Sequence, residues 1–274
     1  MICTQTLERM DHNQLSYEDM TPYLFLHELL IGFQTHTSVR HVIIDEVQDY
    51  SPFQLEFLKR LFPRSRMTAL GDCNQAIYTH VSVLNDYEPM LNLFGAEHTE
   101  LIRLTRSYRS TREIVEFTRG MVEGGDQIIP FNRDGDKPTV FVAASVIELH
   151  EHVVNVINDL KKKGYESIAI IGKTAAECAV AYQALQSEIS LTLITKYSLT
   201  FEKGVLIIPA YLAKGVEFDA VVIYNGSSIV YSQERDRKLF YTACTRAMHL
   251  LHIGTIGQVS PFVAELADDT YRVI

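Results

Sequence analysis

The sequence contains no tryptophan and only four cysteines, Cys3, Cys73, Cys178 and Cys244, which lie far apart along its 274 residues. Because no two of them form a Cys-x-x-Cys pair, a disulfide framework and a zinc site are both disfavoured, and a reducing compartment is expected. No apolar run is long enough to cross a bilayer, and the first residues lack the basic start and apolar core of a secretory signal. We therefore expect a cytoplasmic globular protein.

An excess of basic charge is also missing, since the formal net charge is −9. A generic nucleic-acid binder would show a basic surface, so the composition alone does not indicate one. It does not exclude one either, because a basic groove can lie on an acidic protein. The hydrophobic fraction of 47% is ordinary for a globular protein, and the chain is long enough for one large domain or two modest ones.

Short apolar segments alternate with helical segments along most of the chain. The apolar segments are rich in valine and isoleucine, which is typical of parallel strands that are covered on both faces. This order predicts βαβ units and an α/β layered fold, with residues 1–40 mostly helical and Tyr17–Leu30 packed on the first strand. The predicted strands are Val42–Ile44, Met67–Leu70, Leu101–Leu104, Thr139–Ala143, Ile168–Ile171, Leu191–Ile194, Val205–Pro209, Ala220–Tyr224 and His249–Ile253, and the predicted helices are Ser51–Phe62, Thr111–Val122, Val146–Lys162, Ala175–Gln186 and Arg235–Ala247.

The tripeptide Gly172-Lys-Thr174 has the ending of a phosphate-binding P-loop. A P-loop also needs a glycine five residues before its Gly-Lys pair, and Ser167 occupies that position. The residues between them, Ile168–Ile171, read as a strand whose N–H groups are used in a sheet. We therefore expect an ordinary strand-to-helix turn with Thr174 as the helix N-cap. No other stretch of the sequence matches Gly-x-x-x-x-Gly-Lys-Ser/Thr.

Two adjacent carboxylates end an apolar strand in the segment His41-Val-Ile-Ile-Asp-Glu-Val-Gln-Asp49. The carboxyl ends of strands are where open α/β sheets bind ligands. Asp45 can hold a magnesium ion there, often through water, and Glu46 can orient and polarise an attacking water molecule. A surface Asp-Glu pair at the start of a helix, where acidic side chains suit the helix dipole, explains this motif alone equally well.

Four more motifs follow in order along the chain. In the first of them, a strand and a Gly-Asp turn precede Gln75, whose amide can sense a γ-phosphate by hydrogen bonding. The second places Tyr108 beside Arg109. The four segments are Met67–Tyr78, Leu104–Ser110, Ala213–Asp219 and Phe240–Ala247.

In this order and approximate spacing, the five motifs resemble the C-terminal part of the UvrD/Rep/PcrA group of superfamily 1 helicases. The segments Tyr17-Glu-Asp19 and Asp45–Gln54 look most like the HelD branch, which acts on RNA polymerase. The resemblance covers Asp45 to Ala247 and implies P-loop NTPase (RecA-like) folds with parallel sheets. Residues 1–110 would be the C-terminal remnant of the first RecA-like lobe, and residues 111–274 would be the complete second lobe.

The resemblance implies that the first-lobe motifs serve the hydrolysis of ATP with Mg²⁺. Asp45 would coordinate the magnesium ion, and Glu46 would be the catalytic base. Gln75 would contact the γ-phosphate and couple it to the path of the nucleic acid.

The resemblance assigns the later motifs to the same nucleotide. Tyr108 would stack on the adenine and Arg109 would reach the γ-phosphate. Glu217 would contact the ribose, and Gly215 would allow a close approach. Arg246 would be the arginine finger, donated by the second lobe. These assignments agree with the physics of phosphoryl transfer, because charge spread over phosphoryl oxygens needs cations that are placed in advance.

The sequence also departs from the family pattern. The phosphate loop of the family precedes the Asp-Glu strand, and this chain begins too late to include it. UvrD-like members carry a tryptophan after the tyrosine of the Gln-Ala-Ile-Tyr motif, whereas this chain has Thr79-His80. Tyr78, His80 or Phe94 are the candidates to replace that tryptophan in stacking on a base.

We therefore predict the C-terminal portion of an ATP-dependent DNA helicase, which moves on single-stranded or duplex DNA or remodels RNA polymerase complexes. The site for ATP and Mg²⁺ is expected to be incomplete, so the chain alone should be inactive as an ATPase without the missing N-terminal P-loop segment. An alternative from another class is a non-catalytic module that binds RNA polymerase. A split helicase, whose first segment is a separate chain, is a third possibility.

Overall fold

The computed structural model describes residues 2–78, 87–198, 200 and 202–274. The chain forms two compact units, Met1–Leu101 (unit 1) and Ile102–Ile274 (unit 2), and the domain boundary predicted after residue 110 lies inside unit 2. Thr79 and His80, considered above for base stacking, lie outside the described residues. Within the described ranges, no helix is both long enough and apolar enough to span a membrane.

Unit 1 contains a small parallel sheet with helices packed beside it. Strand β1 (His41–Ile44) pairs in parallel with β2 (Arg66–Ala69). A short 3-10 helix follows each strand, at Val47–Asp49 and at Cys73–Gln75. The α-helices of the described part of unit 1 are α1 (Ile2–Asp11), α2 (Tyr17–Ile31), α3 (Pro52–Leu61) and α4 (Glu88–Phe94).

Helix α3 begins at a capping box that the sequence encodes. Ser51 Oγ accepts a hydrogen bond from the N–H of Gln54 at 3.2 Å, and Gln54 Oε1 accepts one from the N–H of Ser51 at 2.8 Å. Its aromatic face packs against α2, where the ring of Phe25 lies 4.6 Å from the ring of Phe53. The sequence had predicted that α2 packs on the first strand. Because these aromatic side chains bring α2 and α3 together, α2 packs mainly on α3 instead.

The hydrophobic core of unit 1 is small. Ile44, Val47, Leu55 and Met90 are its buried members. Ile43, which points to the opposite face of β1, is 70% exposed. Parallel strands are normally covered on both faces, so one face of β1 is left open by the described residues.

Unit 2 is built around a larger parallel sheet. Its described strands are β3 (Arg106–Ser107), β4 (Ile129–Pro130), β5 (Thr139–Ala143), β6 (Ser167–Gly172), β7 (Thr192–Leu193), β8 (Gly204–Pro209), β9 (Phe218–Ile223), β10 (Ala247–Ile256) and β11 (Arg272–Val273), and its α-helices are α5 (Arg112–Arg119), α6 (Val146–Lys162), α7 (Ala175–Leu185), α8 (Arg237–Cys244) and α9 (Pro261–Ala264). Seven of these strands form one sheet in the order β11-β5-β10-β9-β6-β8-β7, and β3 pairs with β4 separately. Every strand pair in the described part is parallel.

Both faces of the large sheet are covered by helices. Ile171 and Ile253 point into one buried cluster, which α5 and α8 cover, and Ile170 and Val222 point into a second cluster, which α6 and α7 cover. Because neighbouring residues of a strand point to opposite faces, a continuous apolar strand buries both sides. The predicted α/β fold is confirmed, and the predicted bounds of β5 and α6 agree with the structure.

The predicted strand at Leu101–Leu104 does not form. Leu104 is 90% exposed. The strand nearby, β3, begins at Arg106 and pairs with β4 instead of joining the large sheet. An apolar composition therefore did not lead to burial at this position, because the segment runs along the surface of the molecule.

The turn after β6 is the strand-to-helix connection that the sequence predicts. Thr174 Oγ1 accepts a hydrogen bond from the N–H of Glu177 at 3.1 Å and caps α7. The carboxylate of Glu177 in turn accepts one from the N–H of Lys173, whose Nζ lies 2.8 Å from Asp236 Oδ2. The amide and the lysine that a P-loop would offer to a phosphate are therefore used within the chain.

Candidate functional site

The carboxyl end of β1 places two acidic side chains in a constrained turn. Asp45 is exposed, and its Oδ1 accepts a hydrogen bond from the N–H of Glu46 at 2.8 Å. Glu46 has a φ of 52° and a ψ of 42°, which is the left-handed region that non-glycine residues rarely occupy. This conformation costs roughly 1–2 kcal/mol, and such strain is concentrated at functional sites.

A buried glutamine connects this turn to the turn that follows β2. Gln48 is fully buried, and its Nε2 donates a hydrogen bond to Glu46 Oε2 at 2.5 Å. Its Oε1 accepts one from the N–H of Asp72 at 3.0 Å. A Cβ at Gly71 would lie 2.5 Å from Gln48 Oε1, so only a glycine leaves room for the amide. Both ends of the Gln48 amide are therefore used to join the two turns.

The same set of contacts continues to Gln75. Asp72 Oδ2 accepts a hydrogen bond from Gln75 Nε2 at 2.9 Å, and Asp72 Oδ1 accepts one from the N–H of Asn74 at 2.9 Å.

The hydroxyl of Tyr87 donates to the carbonyl of Gly71 at 2.8 Å. The pKa of Tyr87 is raised well above its usual range, mainly by burial and secondly by a hydrogen bond with Cys73. This donor therefore keeps its proton.

The structure thus brings together three residues predicted from the sequence, Asp45, Glu46 and Gln75, within unit 1. The residues that connect them, Gln48 and Asp72, were not identified from the sequence. Both lie inside motifs that the sequence singles out, but their roles depend on burial and on contacts between two turns. An exposed carboxylate such as Asp45 at a strand end fits a magnesium ion that keeps most of its water ligands. Among the described residues, no cluster of three or more histidine, cysteine or acidic side chains could hold a metal ion.

A second set of predicted residues lies together in unit 2. Ser107, Tyr108, Arg109 and Glu217 line an open pocket of about 470 Å³. Arg109 Nε donates to Glu217 Oε1 at 2.5 Å, and the two side chains are 36% and 43% exposed. Because both groups are reached by water, this ion pair is weak and can be replaced by contacts with a ligand.

Arg246 and Glu217 directly precede the neighbouring parallel strands β10 and β9, so both lie at the same edge of the large sheet. It is 1% exposed, and its Nε donates to the carbonyl of Thr242 at 3.0 Å. Its own carbonyl accepts a hydrogen bond from the N–H of Phe218 at 3.0 Å, next to Glu217. The residues directly before β9 and β10 are therefore held in register by the sheet.

Ser110 connects the Tyr108 segment to this edge of the sheet. It is buried, and its Oγ donates to the carbonyl of Ala247 at 2.6 Å. The neighbouring Thr111 donates its N–H to the carbonyl of Met248 at 3.1 Å. Ser110 was not identified from the sequence, although it directly follows Tyr108 and Arg109 in their motif.

Gly215 has a φ of +78°, a conformation that favours glycine. No described atom outside its chain neighbours lies within 4 Å of a Cβ built at this position. The backbone conformation alone therefore explains the glycine, and the close approach of a nucleotide stays a prediction.

Two parts of the chain match known protein families. Residues 5–82 match the UvrD/REP helicase N-terminal domain, and residues 204–253 match the UvrD-like helicase C-terminal domain. The two matches contain the Asp45-Glu46 and Gln75 motifs in the first case and the Gly215–Glu217 and Arg246 motifs in the second.

Curated relatives include DNA helicase II of Escherichia coli (strain K12), which is 25% identical over 151 residues, covering 53% of this chain and 20% of the relative. The ATP-dependent DNA helicase SRS2 of Saccharomyces cerevisiae is 32% identical over 109 residues, covering 38% of this chain and 9% of the relative. The chain thus spans 20% or less of the length of these two relatives.

Solved structures with a similar fold include the C-terminal domain of a possible DNA helicase from Lactobacillus plantarum WCFS1. It is 36% identical, with a TM-score of 0.54, and the match covers 61% of this chain and 98% of that one. A structure of Saccharomyces cerevisiae Dbp5 bound to RNA and ADP BeF3 has a TM-score of 0.56 at 13% identity and covers 91% of this chain and 63% of that one. The second similarity concerns the fold alone.

Proposed function

Because the chain belongs to the UvrD-like family of superfamily 1 helicases, we propose that it is part of an ATP-dependent DNA helicase or translocase. The observation that supports this proposal most directly is the hydrogen-bonded series Glu46, Gln48, Asp72 and Gln75 at the ends of two parallel strands. An Asp-Glu pair whose only role was to favour the start of a helix would not need a buried amide that connects it to a second polar turn. The series is suited to holding polar groups in place around a reacting phosphate.

In this function, the unit 1 residues bind and orient the reactants. Asp45 would hold Mg²⁺, which when bound neutralises charge on the phosphoryl oxygens. Glu46, held by Gln48, would orient the attacking water and accept its proton. Gln75, held by Asp72, would donate a hydrogen bond to the γ-phosphate.

The unit 2 residues would recognise the nucleotide and stabilise developing charge. Tyr108 would stack on the adenine and Glu217 would accept a hydrogen bond from the ribose. Arg109 would exchange its contact with Glu217 for a contact with the γ-phosphate. Arg246 would act as the arginine finger, and Gly215 would give the turn before β9 the conformation that it needs.

We propose further that the chain alone hydrolyses ATP slowly, because its sequence contains no Gly-x-x-x-x-Gly-Lys-Ser/Thr loop to hold the β- and γ-phosphates. The test measures phosphate release by residues 1–274 with ATP, Mg²⁺ and single-stranded DNA, before and after addition of a polypeptide that supplies the P-loop part of a UvrD-like first lobe. We expect turnover only in the mixture, and we expect Glu46→Gln to remove it. Robust Glu46-dependent turnover by the chain alone would contradict the proposed incompleteness, and a mixture that stays inactive would contradict the helicase role.

A second candidate is a non-catalytic module that binds RNA polymerase, as the similarity of the opening motifs to the HelD branch suggests. It is favoured by the apolar surface of α2, where Leu30 is 78% and Ile31 is 70% exposed. Large exposed apolar patches often mark protein interfaces. Binding of single-stranded DNA that weakens with salt would favour the motor. Binding of RNA polymerase without nucleic acid, abolished by Leu30→Glu, would favour the module.

A further inference from the structure

The ring of Tyr108, which lines the open pocket of unit 2, lies in contact with a second aromatic ring. The ring centroids of Tyr108 and Phe131 are 5.0 Å apart, with an angle of 41° between the ring planes. Tyr108 is 61% exposed and Phe131 is 39% exposed. Exposed aromatic side chains that contact each other form an apolar surface with available π faces, which suits the binding of a planar ligand.

The backbone holds the two rings in this arrangement. Strands β3 and β4 pair in parallel, with Ser107 opposite Pro130. The N–H of Phe131 donates to the carbonyl of Ser107 at 2.9 Å, directly beside Tyr108. The relative position of the two side chains is therefore set by a backbone hydrogen bond and not only by their own contact.

The segment that carries Phe131 is anchored on both sides by α5. The side chain of Arg119 donates to the carbonyl of Ile128 at 3.3 Å, and the N–H of Arg112 donates to the carbonyl of Arg133 at 2.8 Å. A segment that is fixed at both ends can hold an exposed side chain in one place, as binding sites require.

We propose that Phe131 is a positioning residue for the binding of a nucleobase by Tyr108, an inference that rests on the proposed function. An exposed tyrosine without a neighbour samples several rotamers, and a ligand that stacks on it must order the ring. Contact with Phe131 restricts the ring before the ligand arrives, so less conformational entropy is lost on binding.

The base could belong to a free nucleotide or to a nucleic-acid strand, because every base has a π face. The other groups in the pocket favour a nucleotide. Arg109 is suited to a phosphate and Glu217 to the hydroxyl groups of a ribose, and both lie beside Tyr108. A single-stranded oligonucleotide is therefore the comparison ligand in the test.

The experiment measures ADP binding to residues 1–274 by NMR titration at millimolar concentrations, with a short oligothymidine as the second ligand. We expect Phe131→Leu to weaken ADP binding by about threefold to tenfold, the change that corresponds to ordering one side chain on binding. Phe131→Tyr should restore it, because the ring is retained. Tyr197→Leu is the matched control, since Tyr197 is also in unit 2, is 78% exposed and lies outside the pocket.

The resonances of the Tyr108 ring give a readout that a general structural role would not produce. In Phe131→Leu the chemical shifts of the Tyr108 ring should change and become an average over several rotamers, because the neighbouring ring is gone. The amide spectrum of the large sheet should stay unchanged. If Phe131→Leu does not fold, Phe131→Met tests the same loss of the ring with a more adaptable side chain.

Three results would overturn the inference, and they are distinguishable. If Tyr108→Leu weakens ADP binding but Phe131→Leu does not, the inference is wrong and the proposed function stands. If only oligothymidine binding is weakened, the surface binds strand bases and the assignment to the nucleotide is wrong. If the wild-type chain shows no ADP-dependent change at Tyr108, the inference fails together with the adenine-binding part of the proposed function.

Discussion

Gln48 shows how much of the unit 1 site depends on a single side chain. It is fully buried and uses both its donor and its acceptor, with Glu46 on one side and Asp72 on the other. We predict that Gln48→Leu, which keeps the volume and removes the polar atoms, lowers the free energy of unfolding of unit 1 by about 1–3 kcal/mol, because the Asp72 N–H and the Glu46 carboxylate lose a partner. Chemical denaturation and hydrogen exchange at the Asp72 amide measure the effect.

The control for this substitution is Gln34→Leu, at an exposed glutamine of the same unit. Its stability should stay within about 0.5 kcal/mol of the wild type, as is usual for surface positions. Gln48→Glu separates the two contacts, because it keeps an acceptor for Asp72 and places a second carboxylate beside Glu46. Equal stability and equal amide exchange in Gln48→Leu and the wild type would show that the hydrogen bonds of Gln48 do not stabilise unit 1.

At the scale of residues, the sequence points more readily to groups that are suited to phosphate chemistry than to the groups that hold them in place. Asp45, Glu46 and Gln75 were selected as candidates because carboxylates and amides at strand ends suit phosphate chemistry. Gln48 and Phe131 were not selected because the roles proposed for them depend on contacts with another segment of the chain. Neither the burial of Gln48 nor the pairing of β3 with β4 can be predicted from local composition.

At the scale of elements, a partly buried histidine links two strands of the large sheet. His252 in β10 hydrogen-bonds with Thr139 in β5 through its Nδ1. The pKa of His252 is lowered from its ordinary value of 6.5 to about 4, mainly by burial and to a smaller extent by the charges of His152 and Lys163. The imidazole is therefore neutral in the folded protein at pH values where the unfolded chain already binds a proton.

The sign of the resulting pH dependence follows from this difference. Between pH 6.5 and about 4 the unfolded state binds more protons, so the free energy of unfolding of unit 2 should fall as the pH falls. The contribution of His252 is at most about 3 kcal/mol across this window. We predict that His252→Gln flattens the slope of the unfolding free energy against pH, as measured by denaturation at several pH values.

Other histidines contribute to the same slope, because burial also lowers the pKa values of His150, His152 and His249. The substitution should therefore reduce the slope and not abolish it. His98→Gln, at a side chain of unit 1 that is 79% exposed, is the matched control and should leave the slope unchanged. An identical slope in His252→Gln and the wild type would contradict the prediction.

The elements themselves were predicted well where burial and length agree. β6 and α6 have long, strongly patterned sequences that allow few alternatives, and their predicted positions are confirmed. The strands β4 and β11 were missed because each contains only two residues, and β4 includes a proline. Such short strands are determined by what lies beside them in space and not by their own sequence.

At the scale of the whole molecule, the two units differ in how completely their sheets are covered. In unit 2, helices cover both faces of the large sheet. In unit 1, the described residues supply two paired strands, with Ile43 exposed on one face and Leu30 exposed on α2. Two parallel strands alone bury little apolar surface, so we expect unit 1 to be less stable by itself than unit 2.

This difference predicts how the units behave when they are expressed separately. Residues 102–274 should give a dispersed amide spectrum and a single cooperative thermal transition, as a complete sheet with two apolar layers should. Residues 1–101 should unfold without a sharp transition and should bind a dye for exposed apolar surface such as ANS, because their core is small. Circular dichroism, calorimetry and dye fluorescence on the two fragments measure these properties. A monomeric 1–101 fragment with a sharp transition and no dye binding would show that unit 1 is stable by itself and would contradict the prediction.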